Sequence, residues 1–437
     1  MVDIKRSLNA GAGGLPGTSY HERETECDDR TPGRKLCRNH LNTVGRVRLT
    51  FDSFEIWTFL TAVVRSDSAN MLLWLIRHFG LLMEQVESRT TGDSEIFLTA
   101  RTAAASVMAF LLAILFGPVA IRWLKRRFRE RIASDSATLN QLHAEKQNTP
   151  TMGGMFTMGA VLATTLLCGD LTNIYVQVGL FVVTTLSLIG AWDDWTKQRT
   201  NRNGITVRQK LFAQTVVGVV CGTVLYRELR SHEFGTQLLW PVGNVGVTLG
   251  ACFIGWSVLV VVGSANGVNL TDGLDGLASG CTVFCGLAFA GLAYVCGHSI
   301  IARYLSIPHI EGAGELSVML AALVGASLGF LWFNCHPAEV FMGDTGSLPT
   351  GGLLAVAALV TRQELLLLVI GGVFVAETLS VIAQVGWFRL TGRRILRCSP
   401  LHNHFVFRGD HETKIVVRFW ITSAVLAIIG IASLKLR

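Results

Sequence analysis

Long apolar runs, separated by short polar or basic stretches, dominate the chain from residue 97 to its C-terminal end. A helix needs about 20 residues to cross a bilayer, and most of these runs approach that length. The ten runs cover residues 97–121, 153–169, 174–191, 211–226, 247–263, 277–296, 316–333, 346–360, 365–387 and 416–434. The pattern predicts an all-α polytopic membrane protein with about ten transmembrane helices. The eighth run is the shortest and therefore the weakest candidate.

The basic loops support the count of ten. Lys and Arg are concentrated in residues 122–131, 197–210 and 388–414. These three loops fall on one side of the membrane only if the eighth run is a true span. Because cytoplasmic loops carry an excess of Lys and Arg, that side is predicted to be the cytoplasm.

Composition agrees with this picture. Half of the 437 residues are hydrophobic and only 16% are charged, while the mean hydropathy is +0.44. A soluble domain does not have such values. The net charge of +7 comes from the interhelical loops, so no nucleic-acid partner is predicted. The ten cysteines include no CxxC pair, which indicates neither a disulfide framework nor a zinc site.

Residues 1–70 differ from the rest of the chain. They mix both signs of charge with turn-forming pieces such as GAGGLPG and contain no long apolar run. They are predicted to be a poorly structured N-terminal extension. An amphipathic segment begins at Met71, so we expect Met71 to be the natural start and residues 71–437 to form the ten-span domain.

Polar residues between the spans form five groups that the ten-span topology places on the cytoplasmic side. The groups are residues 146–154, 193–197, 266–275, 334–347 and 399–405. Their convergence predicts one composite active-site cleft on that face. A transporter would instead need polar groups near the midplane and on both faces, and Glu377 is the acid found well inside an apolar run.

The stretch from Ser264 to Gly280, SANGVNLTDGLDGLASG, is the most unusual of these polar segments. Carboxylates so close to hydrocarbon are costly, which favours a function over simple helix capping. Asn269, Asp272 and Asp275 are three residues apart, so they are predicted to share one side of any helix that begins here.

Three further carboxylates suggest a metal site. Asp193 and Asp194 are adjacent at the end of the third run, where they repel one another unless a cation or proton is present. Asp344 lies between two glycines and beside apolar residues. Mg²⁺ prefers oxygen ligands and is often held by one or two carboxylates together with a phosphate, so it is the predicted cation.

Basic side chains accompany these acids. Lys146 and Lys197 are each consistent with a phosphate-binding role or with a cytoplasmic anchor, and their spacing does not separate the two. His402 and His404 flank Asn403 close to several arginines, which favours an anionic ligand.

Several motifs together resemble one enzyme family. They are TPTMGG, DDWTK, NLTDGLDGLA, PAEVFMGDTGSL, PLHNHF and VRFW. From about Met71 to Arg437 the chain resembles the phospho-N-acetylmuramoyl-pentapeptide transferases, a branch of the polyprenyl-phosphate sugar-1-phosphate transferases. The resemblance implies Mg²⁺-dependent transfer of phospho-MurNAc-pentapeptide from its UDP carrier to undecaprenyl phosphate. The products are lipid I and UMP, in the first membrane step of peptidoglycan synthesis. It also implies a multi-pass protein of the bacterial inner (plasma) membrane, and the family is commonly homodimeric.

The resemblance also implies residue roles. Asp193, Asp194 and Asp344 match the catalytic aspartates, with Asp344 as the metal ligand. The matching substrate-binding positions are Lys146, Thr151, Lys197, Asn269, Asp272, Asp275, Asn334, His402, Asn403 and His404. Asn403 departs from the family, which usually has a third histidine there. Direct attack by the lipid phosphate and a covalent aspartyl intermediate both stay open. A sister transferase that uses UDP-GlcNAc and a transporter are the alternative functions.

Overall fold

The computed structural model of this protein describes residues 95–127, 149–200, 204–232, 234–240 and 246–436. The predicted extension over residues 1–70 and the expected start at Met71 lie outside these ranges, as does Lys146.

Helices account for most of the described residues. They are α1 (Glu95–Arg127), α2 (Gly154–Cys168), α3 (Ile174–Arg199), α4 (Val207–Leu229), α5 (Cys252–Thr271), α6 (Leu277–Gly297), α7 (Ser299–Tyr304), α8 (Leu316–Asn334), α9 (Asp344–Val360), α10 (Glu364–Ile370), α11 (Gly372–Thr391), α12 (Leu401–Arg408) and α13 (Glu412–Ser433). Between α4 and α5, strands β1 (Gln237–Leu239) and β2 (Gly246–Thr248) form an antiparallel pair in which Gln237 is opposite Thr248.

Each of the ten predicted apolar runs overlaps a helix, although the fifth run, 247–263, begins in β2 and becomes helical only at Cys252. In the described part of the chain, seven helices are long and apolar enough to cross a membrane. They are α1, α3, α5, α6, α8, α11 and α13, whereas α2 and α9 are apolar but shorter. The prediction of a mostly helical, polytopic membrane protein is therefore confirmed, and the count of ten spans stays a prediction. The ninth run is divided at Gly371 into α10 and α11.

Helix α9, the shortest predicted span, is the most enclosed helix of the bundle. Every one of its residues is buried, and it packs against α3 and α5. Glycines permit this close packing: a Cβ atom on Gly351 would lie 2.2 Å from the Ser264 carbonyl oxygen of α5. Because α9 is surrounded by protein, it needs neither the length nor the uniform hydrophobicity of a helix that faces lipid.

A buried ion pair fixes the C-terminal end of α9. Arg362 Nη1 lies 2.6 Å from Glu364 Oε1, and neither side chain is exposed. The Arg362 guanidinium also lies 4.7 Å from the ring centroid of Phe253 and donates to the Gln237 carbonyl oxygen. These contacts join α9, α5 and the β1–β2 hairpin.

The polar stretch after residue 264 does not form one continuous helical face. Helix α5 continues to Thr271, Asp272 is its C-cap, and α6 begins only at Leu277. Gly276 has a φ of +75°, a conformation that glycine adopts without strain. The prediction that Asn269, Asp272 and Asp275 share one side of a helix is therefore wrong, because the glycines turn the chain between two helices.

Candidate active site

Three carboxylates from two helices meet at one point. Asp193 and Asp194 lie near the end of α3, and Asp344 is the first residue of α9. One oxygen of each lies within 4.8 Å of the others, and all three residues are buried. The helices approach closely because α3 carries Gly190, where a Cβ atom would lie 2.2 Å from the Asp344 carbonyl oxygen.

Two lysines offset part of this negative charge. Lys197 Nζ lies 2.7 Å from Asp193 Oδ2 and 3.1 Å from Asp344 Oδ2. Lys210 Nζ, from the first turn of α4, lies 2.5 Å from the same Asp344 oxygen. Sequence reasoning missed Lys210 because it ends a basic loop, where a lysine is equally well explained as a membrane anchor.

Asp194 differs from the other two aspartates in its partners. Its Oδ1 accepts from the Asp344 backbone N–H at 3.2 Å. Its Oδ2 accepts from the Thr345 N–H at 3.0 Å and from the Thr345 hydroxyl at 2.7 Å. A carboxylate at a helix N-terminus satisfies unpaired N–H groups and interacts favourably with the helix dipole. Asp194 therefore holds the first turn of α9, and with it Asp344, in place.

Two predicted substrate-binding residues flank Asp344. Asn269 Nδ2 donates to Asp344 Oδ1 at 2.7 Å and to Ser347 Oγ at 2.9 Å. Thr151 is buried beside Gly343, where a Cβ atom would lie 3.0 Å from Thr151 Oγ1. The loop that carries Thr151 is fixed because the Gly153 N–H donates to the Phe341 carbonyl oxygen at 2.8 Å.

Asp275 belongs to a neighbouring polar cluster. Its Oδ2 lies 3.0 Å from His336 Nδ1 and accepts from the Ala338 N–H at 3.2 Å. Oε1 of Glu412 accepts from the Asp275 backbone N–H at 3.0 Å. This cluster is a second group of possible metal ligands. Sequence reasoning missed His336 and Glu412, which are distant from Asp275 in the chain.

Asn334 holds the turn between α5 and α6, to which Asp275 belongs. Its Oδ1 accepts from the Gly276 N–H at 3.1 Å and from the Ser279 hydroxyl at 2.8 Å, and its Nδ2 donates to the Val340 carbonyl oxygen at 2.9 Å. The side chain is thus fully engaged in joining the turn before α6 to the segment before α9. Asp272 is half-buried at the end of α5.

Of the three residues His402, Asn403 and His404, His402 is the one buried against this turn. The Glu377 carboxylate accepts from the His402 backbone N–H at 3.1 Å and lies 3.3 Å from His402 Nδ1. On the other side, a Cβ atom on Gly273 would lie 2.3 Å from His402 Nε2. His404 Nδ1 instead accepts from the Arg397 N–H at 3.2 Å.

The described parts of all five polar groups are therefore linked by direct contacts. They lie in one region of the protein, while a cleft on the cytoplasmic face stays a prediction. The aspartates, Lys197 and Asn269 form its centre, and Asp275, Asn334 and His402 surround the adjacent turn.

An apolar groove lies on the α5 side of the aspartates, between α5, α10 and α11. Its walls include Trp256, Leu354 and Phe374, and it reaches Ser264 and Gly267. Gly267 lies two residues before Asn269 in α5, which is about 3 Å along the helix axis, so the end of the groove and the polar centre are at similar levels of this helix.

Comparison with known proteins identifies the chain's relatives. The Glycosyl transferase family 4 model matches residues 176–362, which include the three aspartates. The phospho-N-acetylmuramoyl-pentapeptide-transferase of Oleidesulfovibrio alaskensis is 46% identical over 344 residues, covering 78% of this chain and 94% of the relative. The enzyme of the same name from Nitratidesulfovibrio vulgaris is 48% identical over 345 residues, with the same coverage. That from Solidesulfovibrio magneticus is 46% identical over 345 residues, again covering 78% and 94%. With this identity over nearly the whole length of its relatives, the chain belongs to the phospho-N-acetylmuramoyl-pentapeptide-transferase family.

Proposed function

We propose that this protein transfers phospho-MurNAc-pentapeptide from UDP-MurNAc-pentapeptide to undecaprenyl phosphate: the diphosphate bond of the donor breaks, UMP leaves, and the new diphosphate of lipid I forms. The observation that carries the proposal is the convergence of Asp193, Asp194 and Asp344 with Lys197 and Lys210 at the ends of membrane helices. Phosphoryl transfer between two anions mainly requires charge neutralisation and alignment, and this group of side chains provides both.

The donor set fits Mg²⁺. Three buried carboxylates lie close enough for a shared ion, and oxygen is the ligand that Mg²⁺ prefers. Asp344 is the proposed ligand, with Asp193 beside it, because both oxygens of Asp194 already accept from α9. When bound, Mg²⁺ would neutralise charge on the diphosphate.

The chain's own residues have separate tasks in this proposal. Asp193 orients the acceptor phosphate and takes its proton where one is present. The ammonium groups of Lys197 and Lys210 stabilise negative charge on the phosphoryl oxygens in the transition state. Asn269 fixes the Asp344 carboxylate through its 2.7 Å hydrogen bond.

The apolar groove accounts for the lipid acceptor. A polyprenyl chain is a long hydrocarbon that gains free energy wherever its apolar surface leaves water. The groove is lined mainly by hydrophobic side chains and reaches Gly267, close to the polar centre. We assign the groove to the polyprenyl tail, with the phosphate toward Asp193.

The membrane arrangement completes the proposal. Ten spans in the bacterial plasma membrane place the basic loops and all five polar groups on the cytoplasmic side, where a UDP-linked donor is available. Residues 71–437 form the transferase domain, and the homodimer common in the family stays a prediction.

A donor-choice assay tests the proposal. Purified protein in detergent receives undecaprenyl phosphate, Mg²⁺ and either UDP-MurNAc-pentapeptide or UDP-GlcNAc, and the lipid products are separated chromatographically. We expect a product from the muramoyl donor alone. A product from UDP-GlcNAc alone would assign the chain to a different activity, and no product from either donor would reject the transferase function.

A further inference from the structure

The last long helix, α13, lies along the turn between α5 and α6 and makes two hydrogen bonds with that turn and one with α6. Glu412 Oε1 accepts from the Asp275 N–H at 3.0 Å. Trp420 Nε1 donates to the Gly276 carbonyl oxygen at 3.1 Å. Ser423 Oγ donates to the Cys281 carbonyl oxygen at 3.3 Å.

Close packing accompanies these hydrogen bonds. A Cβ atom on Gly280 would lie 2.0 Å from Trp420 Nε1, so the indole is in direct contact with the first turn of α6. At Gly276 a Cβ atom would lie 3.4 Å from Trp420 Cζ2. The indole thus requires a glycine at position 280. Its N–H is a second donor to the Gly276 carbonyl oxygen, which also accepts from the Gly280 backbone N–H at 3.0 Å.

The carboxylate and the backbone N–H of Asp275 are held by different elements. His336 and Ala338, from the segment after α8, contact its carboxylate. Glu412 of α13 accepts from its backbone N–H. Removing Glu412 would therefore take away this acceptor of the Asp275 N–H, while the carboxylate contacts and the bond from the Gly276 N–H to Asn334 persist.

We propose that Glu412 and Trp420 are positioning residues that fix the Asp275–Gly276 turn for binding of the UDP-linked donor. The inference rests on the proposed function and on the family resemblance, which implies that Asp275 is a substrate-binding position; here we assign it to the UDP-linked donor. The catalytic centre on α3 and α9 is built independently of α13, since its described contacts come from α3, α4, α5 and α9. Loss of either positioning contact should thus raise the KM for the donor far more than it lowers kcat.

Matched variants at Glu412 test the hydrogen bond itself. Glu412→Ala removes the acceptor, whereas Glu412→Gln keeps a carbonyl oxygen that can accept the Asp275 N–H. Because a hydrogen bond to a charged group is stronger than a neutral one, its loss in Glu412→Ala should raise the donor KM about tenfold. Glu412→Gln should stay within about threefold of wild type, since it keeps a neutral hydrogen bond. Thr413→Ala, at an exposed neighbouring position, is the control.

A second variant and a second measurement distinguish a local effect on donor binding from misfolding of the protein. Trp420→Phe keeps most of the ring but removes the N–H, and it should also raise the donor KM while leaving the KM for the lipid acceptor unchanged. UMP binding to the full-length protein in detergent, measured by calorimetry, should weaken in parallel for Glu412→Ala and Trp420→Phe.

The possible results distinguish failure of this inference from failure of the proposed transferase function. Unchanged donor KM and UMP affinity in both variants, with an active wild type, would overturn the positioning role alone. Equal losses in Glu412→Ala and Glu412→Gln, confined to kcat, would also overturn it. A wild-type protein that binds no UMP and produces no lipid product would reject the proposed function together with the inference.

Discussion

Asp194 and Asp344 should respond differently to the same conservative substitution. Asp194→Asn keeps the side-chain volume but leaves a single oxygen where α9 presents three donors. If that oxygen accepts from the N–H and hydroxyl of Thr345, the amide NH₂ of the substituted side chain points at the Asp344 N–H. Two donors then face each other, and the Asp344 N–H loses its acceptor. Asp344→Asn changes no contact of the α9 backbone.

The size of the effect follows from these contacts. One lost charge-assisted hydrogen bond costs about 1.5–3 kcal/mol, and one lost charge at the helix N-terminus costs about 0.3–1 kcal/mol. Asp194→Asn should therefore destabilise the fold by about 2–4 kcal/mol. At roughly 2 °C per kcal/mol, this lowers the unfolding midpoint by about 4–8 °C.

Asp344→Asn should abolish turnover. It weakens the contacts of this side chain with Lys197, Lys210 and Asn269, but it leaves the α9 backbone contacts intact and relieves excess negative charge, so the midpoint should fall less than in Asp194→Asn. The three carboxylates and two ammonium groups carry one net negative charge, and neutralising Asp344 balances the cluster. Thermal unfolding in detergent and UMP release would be measured for both variants. Asp410→Asn, at a surface ion pair with Arg408, is the control. An Asp194→Asn protein with the wild-type midpoint would refute the capping role.

Three other substitutions test further contacts. Lys210→Gln should lower kcat about 100-fold, as the loss of one charge-stabilising donor does in other enzymes. The control is Arg208→Gln, at an exposed neighbouring position, which should stay active. Equal activity in both variants would exclude a role for Lys210 in the reaction. Arg362→Gln removes the buried cation that pairs with Glu364 and should cost about 3–5 kcal/mol. Thermal unfolding should show that adding Glu364→Leu recovers much of this loss, and no recovery would contradict the pairing. Glu377→Leu should reduce kcat because His402 loses its acceptor, while Glu377→Gln keeps a carbonyl oxygen and should retain most of the activity.

Residue type and hydrophobic pattern were sufficient to predict the helices and to single out Asp193, Asp194 and Asp344, which the structure brings together. Apolar runs are long enough to be read directly, and adjacent carboxylates such as Asp193 and Asp194 next to hydrocarbon have few structural explanations. The same reasoning placed five distant segments on one side of the membrane, and the structure joins them through contacts such as that between Lys197 and Asp344.

What the sequence did not predict depends on long-range geometry. The cap that Asp194 provides to α9 joins residues 150 positions apart, and the contact of Trp420 with Gly276 spans 144 positions. The helix ends at Asp272 and Gly276 were missed because three-residue spacing fits a helix as well as a turn. Lys210 was missed because a basic loop explains a lysine without any catalytic role.

The most direct test of the central claim is a titration of Mg²⁺ in a transfer assay that quantifies UMP and lipid product together. With UDP-MurNAc-pentapeptide and undecaprenyl phosphate, wild-type protein should release one UMP for each lipid I formed. Chelation should stop both, Mg²⁺ should restore both, and Asp344→Asn should produce neither. Full activity after thorough chelation, or undiminished lipid formation by Asp344→Asn, would contradict a metal-dependent reaction centre built on these aspartates.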